Sequence, residues 1–506
     1  MGSETQTGVV FPTAPDGSRS TTRVGAQILA SALAELDAAD AQSALRETRW
    51  RRAYPRHFRK LIEGGLASPE AALASARAGL ATARQTMCWD TGHGQTSLQE
   101  ALANPGEPLQ TLSLSGQGDA TVAPWTVPLQ GEPLAGPRLL AKIADWQARG
   151  IIDPSAAQAF ERCIANPEWF DLSDRTLVLL GAGSEAGPLR WLTRWRAHVI
   201  AVDIQRPAVW QRIAGLALAG NGTLQVPVRG LGPAVAEGDW FGRAGADLLT
   251  EAPKIAAWLR SFAGPLDVAA LAYLDGERHV RVAMGMDMIV QAACQADART
   301  SVAFLATPTD VFAVTRQTAQ TAMDAYRARP VASRSFQGSL HLALGDRFFH
   351  PNVEQLIHNG SGQAYGVVDS LVIEQGPNYA LAKRLQQWRA MCARADGHRV
   401  SLNVAPSTTT ASVIKNPALA AGFAGASSFG IEVFEPETTN ALMAALWVHD
   451  LRFDGSAANP GTPLAHPFEL FMDNACHGGL WTSAYLPRSA LPFAAALGWV
   501  RQRVKG

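Results

Sequence analysis

Two groups of residues in this chain have the types and the spacing for chemistry. Tyr379 and Lys383 stand four apart in Tyr379-Ala-Leu-Ala-Lys383. That interval puts a phenol and an ammonium on one helix face, a turn apart. Both types are scarce, with six tyrosines and six lysines in 506 residues. A phenol ordinarily ionises near a pKa of about 10, and a neighbouring cation favours the ionised form. Such a pair can give or take a proton at a reacting oxygen. The second group is the turn Gly181-Ala-Gly-Ser-Glu-Ala-Gly187, with Gly183, Ser184, Glu185 and Ala186 between its end glycines. Glycines at a strand-to-helix turn let the backbone approach a pyrophosphate, and the helix behind offers free N–H groups and a positive dipole end. The expected cofactor is NAD, acting with a small-molecule substrate and a tyrosine that handles the proton.

The elements that must position these groups follow from hydrophobic pattern. Thr176-Leu-Val-Leu-Leu180 is a short apolar run suited to a buried parallel strand. A helix is expected over Leu189 to Trp195, then a strand over Ala197 to Asp203. A carboxylate at that strand end accepts hydrogen bonds from ribose hydroxyls and repels a 2′-phosphate, which favours NAD. Ile204 follows it, and Arg206 keeps NADP open by offering a partner for the 2′-phosphate. Tyr379 opens a helix expected to run to Arg394, which leads through Gly397 into a strand over Arg399 to Pro406. From Thr176 onward, strands alternate with helices. That implies an α/β fold, a doubly wound parallel sheet of Rossmann-like type, with a mostly helical N-terminal extension.

The expected organisation is a disordered tail over 1–22, a mostly helical region over 23–173 with a loop-like stretch at 104–135, a dinucleotide-binding catalytic domain over 174–435, and a C-terminal segment over 436–506. Formal net charge is zero, from 44 basic and 44 acidic residues. A nucleic-acid surface needs a basic excess, so none is expected. The five cysteines, Cys88, Cys163, Cys294, Cys392 and Cys476, show no metal-ligand spacing, and no metal is expected. No apolar run reaches the ~18 residues of a membrane span. The expected setting is a cytoplasmic enzyme.

Taken in order, five segments resemble the short-chain dehydrogenase/reductase superfamily. They are the glycine turn from Gly181 to Gly187, Asp247-Leu-Leu-Thr250, Gly264-Pro-Leu-Asp-Val268, Ser301-Val-Ala-Phe-Leu-Ala-Thr307, and Tyr379-x-x-x-Lys383 followed by Arg399-Val-Ser-Leu-Asn-Val-Ala-Pro-Ser407. The resemblance covers roughly residues 174–435. It implies NAD(P)-dependent interconversion of an alcohol and a carbonyl on an apolar substrate, and a homo-oligomer. It places Tyr379, Lys383 and Thr307 or Thr309 in catalysis. Cofactor contacts would come from the turn, Asp203, Ile204, Arg206, Asp247, Leu248 and Thr408. The chain departs from the family at Glu185 and at Ser407, which stand where glycines are usual. It also lacks the usual asparagine near Val282 and carries an insertion over 310–370.

Two alternatives stay open from the residues. A methyltransferase using S-adenosylmethionine has a similar turn and acidic strand end, although Leu179 stands where such enzymes usually carry an acid. A non-catalytic dinucleotide-binding relative would follow if Phe312-Ala-Val-Thr-Arg316 aligns with the Tyr-x-x-x-Lys position. His477, within Ala475-Cys-His-Gly-Gly-Leu-Trp481, is a lesser candidate for substrate contact.

Overall fold

The structure, a computed structural model, describes residues 6–505 other than 186, 231–238, 332, 333, 336, 338, 340–347, 411, 412, 414 and 416. Its centre is a seven-stranded sheet. In chain order the strands are β1 (Gln110–Ser115), β2 (Thr176–Leu180), β3 (His198–Val202), β4 (Thr223–Val228), β5 (Asp267–Ala270), β6 (Ser301–Ala306) and β7 (Val400–Val404). Across the sheet they lie in the order β7-β6-β5-β2-β3-β4-β1. All neighbours are parallel except β1, which pairs antiparallel with β4 at the edge. The α/β fold with a mostly parallel sheet is therefore as expected from the strand–helix alternation.

Side chains of each strand alternate between two cores. Val178 and Leu180 of β2 join one core, while Leu177 and Leu179 join the other. The helices that follow the strands are α1 (Leu189–Leu192), α2 (Pro207–Leu218), α3 (Ala252–Leu259), α4 (Glu277–Ala296), α5 (Pro377–Ala395) and α6 (Pro436–Arg452). Helices α3, α4 and α5 cover the first face, and α1, α2 and α6 cover the second. Burial on both faces explains why the strands read as unbroken apolar runs.

The chain direction in the sheet reverses its winding between β2 and β5. The crevice beyond the carboxyl ends of these strands is where such sheets bind ligands. Gly181 leaves β2 at φ +95°, and an added Cβ would stand 2.8 Å from the Ala272 backbone beyond β5. Close packing against that loop, with the positive φ, requires glycine here.

Residues before the sheet differ from expectation in two places. Gly8–Val10, within the stretch expected to be a disordered tail, forms a strand paired with Cys88–Asp90. Val9 and Val10 are fully buried, and the Val9 N–H donates to Leu249 O at 2.8 Å. Gln110–Ser115, expected as loop, supplies β1. Its alternating polar side chains suit an edge strand with one solvated face. Helices Thr21–Ala34, Ala38–Leu45, Trp50–Gly65 and Pro69–Thr86 pack into the core that also holds Leu381, Leu385 and Trp388 of α5. Within 310–370, Val311–Thr315 and Ala364–Asp369 pair in a separate antiparallel sheet. Phe312 is a fully buried strand residue there, so Phe312–Arg316 does not open a helix as Tyr379 does. Among the described residues no helix is long and apolar enough to cross a membrane.

Candidate functional site

The first half of the site lies where β2 and β3 end. Asp203, just beyond β3, accepts the Gly183 N–H on Oδ2 at 2.7 Å and the Ile204 N–H on Oδ1 at 2.8 Å. Burial pushes its carboxyl pKa upward, and the two backbone donors pull the other way. Arg212 of α2 donates to Gly183 O at 2.7 Å. An added Cβ at Gly183 would meet the Arg212 guanidinium at 2.9 Å and the Asp203 carboxylate at 3.0 Å. A side chain at 183 would therefore displace the Arg212 guanidinium and crowd the Asp203 carboxylate. Other turn donors are also engaged internally: Gly181 and Ala182 N–H with Val202 O, Ser184 N–H with Gly181 O, and Gly187 N–H with Ser184 O. Asn440 of α6 donates its side-chain amide to Gly187 O.

The helix expected over Leu189 to Trp195 is shorter in the structure. It ends at Leu192, where residues 193–196 turn to bring the chain back to β3. A single helical turn carries few aligned peptide dipoles, so it offers little of the positive end a pyrophosphate uses. In its place two guanidinium groups flank the turn. A cleft of about 320 Å³ runs beside Gly183, Ser184 and Glu185, with Arg190, Arg212 and Glu437 on its walls. A phosphate there would meet Arg190 and Arg212 instead of a helix end. Arg212 was not recognised from sequence, because its distance from the turn depends on how α2 packs.

Several expected cofactor contacts are occupied by the protein itself. The Ile204 carbonyl accepts from Trp210 Nε1 at 3.0 Å. Arg206 is exposed at the start of α2. Asp247 caps the next turn by accepting the Leu249 N–H at 2.8 Å, and Leu248 is buried in the core. The Thr408 hydroxyl lies 2.8 Å from Pro406 O and 2.7 Å from the Thr439 hydroxyl. Ala186 lies outside the described residues.

The second half of the site lies beyond β5 and β6. Gly376 at φ +81° and Pro377 start α5, which fixes Tyr379 in its first turn. The Tyr379 phenol lies near the hydroxyls of Thr307 and Thr309, which follow β6 and oppose the rise in its pKa. Those two hydroxyls are 2.8 Å apart, and Gln375 Nε2 donates to Thr309 Oγ1 at 2.8 Å. Four residues expected to act together are therefore close, except in one respect. Lys383 does not reach toward Tyr379: its ammonium donates to Leu305 O at 3.2 Å and Gln386 Oε1 at 3.4 Å. Burial pushes the Tyr379 phenol up to about 12, against the pull of the two threonine hydroxyls. The expected lowering by Lys383 is absent because the amine is turned toward the sheet end. Burial brings the Lys383 ammonium down to about 8, partly opposed by Asp310.

Sequence reasoning missed His279. It lies in the first turn of α4, its ring stacked on Tyr379 at 5.5 Å and 14°. The Leu274 N–H donates to His279 Nδ1 at 3.3 Å, so the neutral ring carries its proton on Nε2. That atom is buried without a hydrogen-bond partner. Burial, then the nearby Lys383, holds His279 neutral, well below its ordinary range. The signal available was a polar residue on the helix after the fourth parallel strand, three places before Val282. Tyr273 completes the wall, 4.7 Å from His279 and 6.0 Å from Tyr379 by ring centres. It sits in the loop whose Ala272 backs Gly181, so the two halves of the site share one wall.

An apolar pocket opens from Thr309. Val372, Phe423, Phe429, Ile431 and Leu491 line it, with Gln375 and Tyr485 as polar members. His477 is fully buried instead, stacked on Trp481 and 3.5 Å from Asp153. Among the described residues no group of three or more His, Cys, Asp or Glu side chains could hold a metal ion. No family model and no curated protein matches this chain.

Proposed function

We propose that this chain is an NAD(P)-dependent oxidoreductase that interconverts a carbonyl and an alcohol on an apolar substrate. The observation that carries the reading is the hydroxyl cluster of Tyr379, Thr307 and Thr309 beyond β6, sharing a wall with the glycine turn beyond β2. The adenosine half of a dinucleotide suits Asp203, and Arg190 and Arg212 suit its phosphates. A nicotinamide bound there supplies the hydride. The rest of the chemistry belongs to this chain. Thr307 and Thr309 orient the substrate oxygen, and Tyr379 gives it a proton as the carbon is reduced. An alkoxide is a stronger base than a phenolate, so a phenol near 12 still donates downhill. In the reverse direction the phenolate must form first, so the rate of alcohol oxidation should rise with pH. The apolar pocket at Thr309 supports an apolar substrate.

Tyr379→Phe tests this directly. Loss of the proton donor lowers kcat/KM for carbonyl reduction by about 10²–10⁴-fold, with cofactor binding unchanged. An unaltered rate on a confirmed substrate would refute the assignment.

One observation favours a second reading, methyl transfer from S-adenosylmethionine. The helix after the turn is a single turn long, and an adenosyl ligand without phosphates does not need its dipole. Asp203 would hold the ribose in either case.

A further inference from the structure

A second cleft, of about 380 Å³, lies where the carboxyl-terminal ends of α4 and α5 meet the helix Pro69–Thr86. Three arginines line it: Arg77, Arg84 and Arg389, with the amides of Gln291 and Gln295. Asp287 lies behind them and accepts from Arg84 Nε at 2.8 Å and from Arg389 Nε at 2.6 Å. Asp396 at the rim pairs with Arg77 at 3.3 Å. Three cations against two carboxylates leave one positive charge. Helix carbonyl ends draw cations, and both α4 and α5 end here. That attraction accounts for a basic wall but leaves two guanidinium nitrogens, Arg84 Nη2 and Arg389 Nη2, buried without a hydrogen-bond partner, of which Arg84 Nη2 lies 2.8 Å from Asp287. Arg389 is 8% exposed, and its Nη2 is buried with no hydrogen-bond partner. A buried charged donor without an acceptor is costly, and an anion in the cleft would remove that cost.

We propose that this cleft binds a small oxyanion, a phosphate or a carboxylate, held by Arg389 from within and by Arg77 at the rim. Guanidinium groups suit such ligands because their N–H pairs match two oxygens at once. The site is separate from the one assigned to the proposed function. Helix α5 carries Tyr379 near its start and Arg389 ten residues on, about 15 Å along the helix axis.

Calorimetric titration of the full chain with inorganic phosphate and with succinate, at fixed ionic strength and with chloride as control, tests the proposal. One-site saturable binding of at least one oxyanion, and none of chloride, is expected. Which of the two binds identifies the source of the oxyanion. Arg389→Lys keeps the charge beside Asp287 but loses the planar fork, and Arg77→Gln changes only an exposed rim residue. Each should weaken binding about tenfold or more, the effect of one charge-assisted hydrogen bond. If Arg389→Lys fails to fold, Arg77→Gln still decides. No saturable binding of either oxyanion, or equal affinity in the wild type and the folded variants, would overturn the proposal.

Discussion

Lys383→Met should make the protein more stable at neutral pH and less stable at high pH. Folding takes the Lys383 ammonium from its ordinary 10.5 down to about 8, mainly through burial. At 1.36 kcal/mol for each pH unit, carrying that charge in the folded state costs about 3 kcal/mol. The hydrogen bonds to Leu305 O and Gln386 Oε1 are long, at 3.2 and 3.4 Å. They return about 1 kcal/mol each. Methionine has similar length and carries no charge, so at pH 7 the variant gains roughly 1 kcal/mol net. The sign with pH follows from proton counting. Between about 8 and 10.5 the unfolded lysine binds a proton that the folded one has released, so wild-type stability rises with pH in that window. Below it both states are protonated and the cost is fully present. Above it the cost is gone, and the variant lacks only the hydrogen bonds, a loss of about 2 kcal/mol. Urea midpoints for both proteins across pH 7 to 11 give the difference directly, because other titrating groups cancel. A difference that stays flat with pH would refute the burial argument for Lys383. An active site commonly carries such a destabilised group.

Two further substitutions probe the turn. Gly181→Ala should lose well over 1 kcal/mol by urea midpoint, because it combines a positive φ with a backbone contact at 2.8 Å. Gly131→Ala, at φ +82° with open space around it, should lose only about 1 kcal/mol; equal losses would mean Ala272 does not constrain the turn. Asp203→Asn keeps an acceptor for the Gly183 N–H but removes the charge. NADPH affinity should then rise relative to NADH in parallel titrations, and an unchanged ratio would place the ribose elsewhere.

The sheet was readable because its strands are buried on both faces. Thr176–Leu180 and His198–Val202 stand out as apolar runs, and Gly181 and Asp203 follow directly at their carboxyl ends. The helix expected over Tyr379 to Arg394 runs from Pro377 to Ala395, its start set by Gly376 and Pro377, which the expectation did not use. Edge strand β1 was not, since Gln110–Ser115 is polar and lies among glycines and prolines. Gly8–Val10 was hidden for a related reason: three residues in a polar tail gain their order from a long-range contact with Leu249. Thr307, Thr309 and Tyr379 were named through the family resemblance, and the structure puts each close to a strand or helix end. The direction of the Lys383 amine and the stacking of His279 on Tyr379 depend on packing between α4 and α5. No local pattern encodes them.

The proposed function requires the turn at Gly181 and the carboxylate at Asp203 to hold a nicotinamide dinucleotide. Parallel calorimetric titrations of the purified chain with NADH, NADPH and S-adenosylmethionine test it most directly. One-site binding of NADH, weaker binding of NADPH and no binding of S-adenosylmethionine are expected. Binding of S-adenosylmethionine alone, or of none of the three by the folded protein, would contradict it.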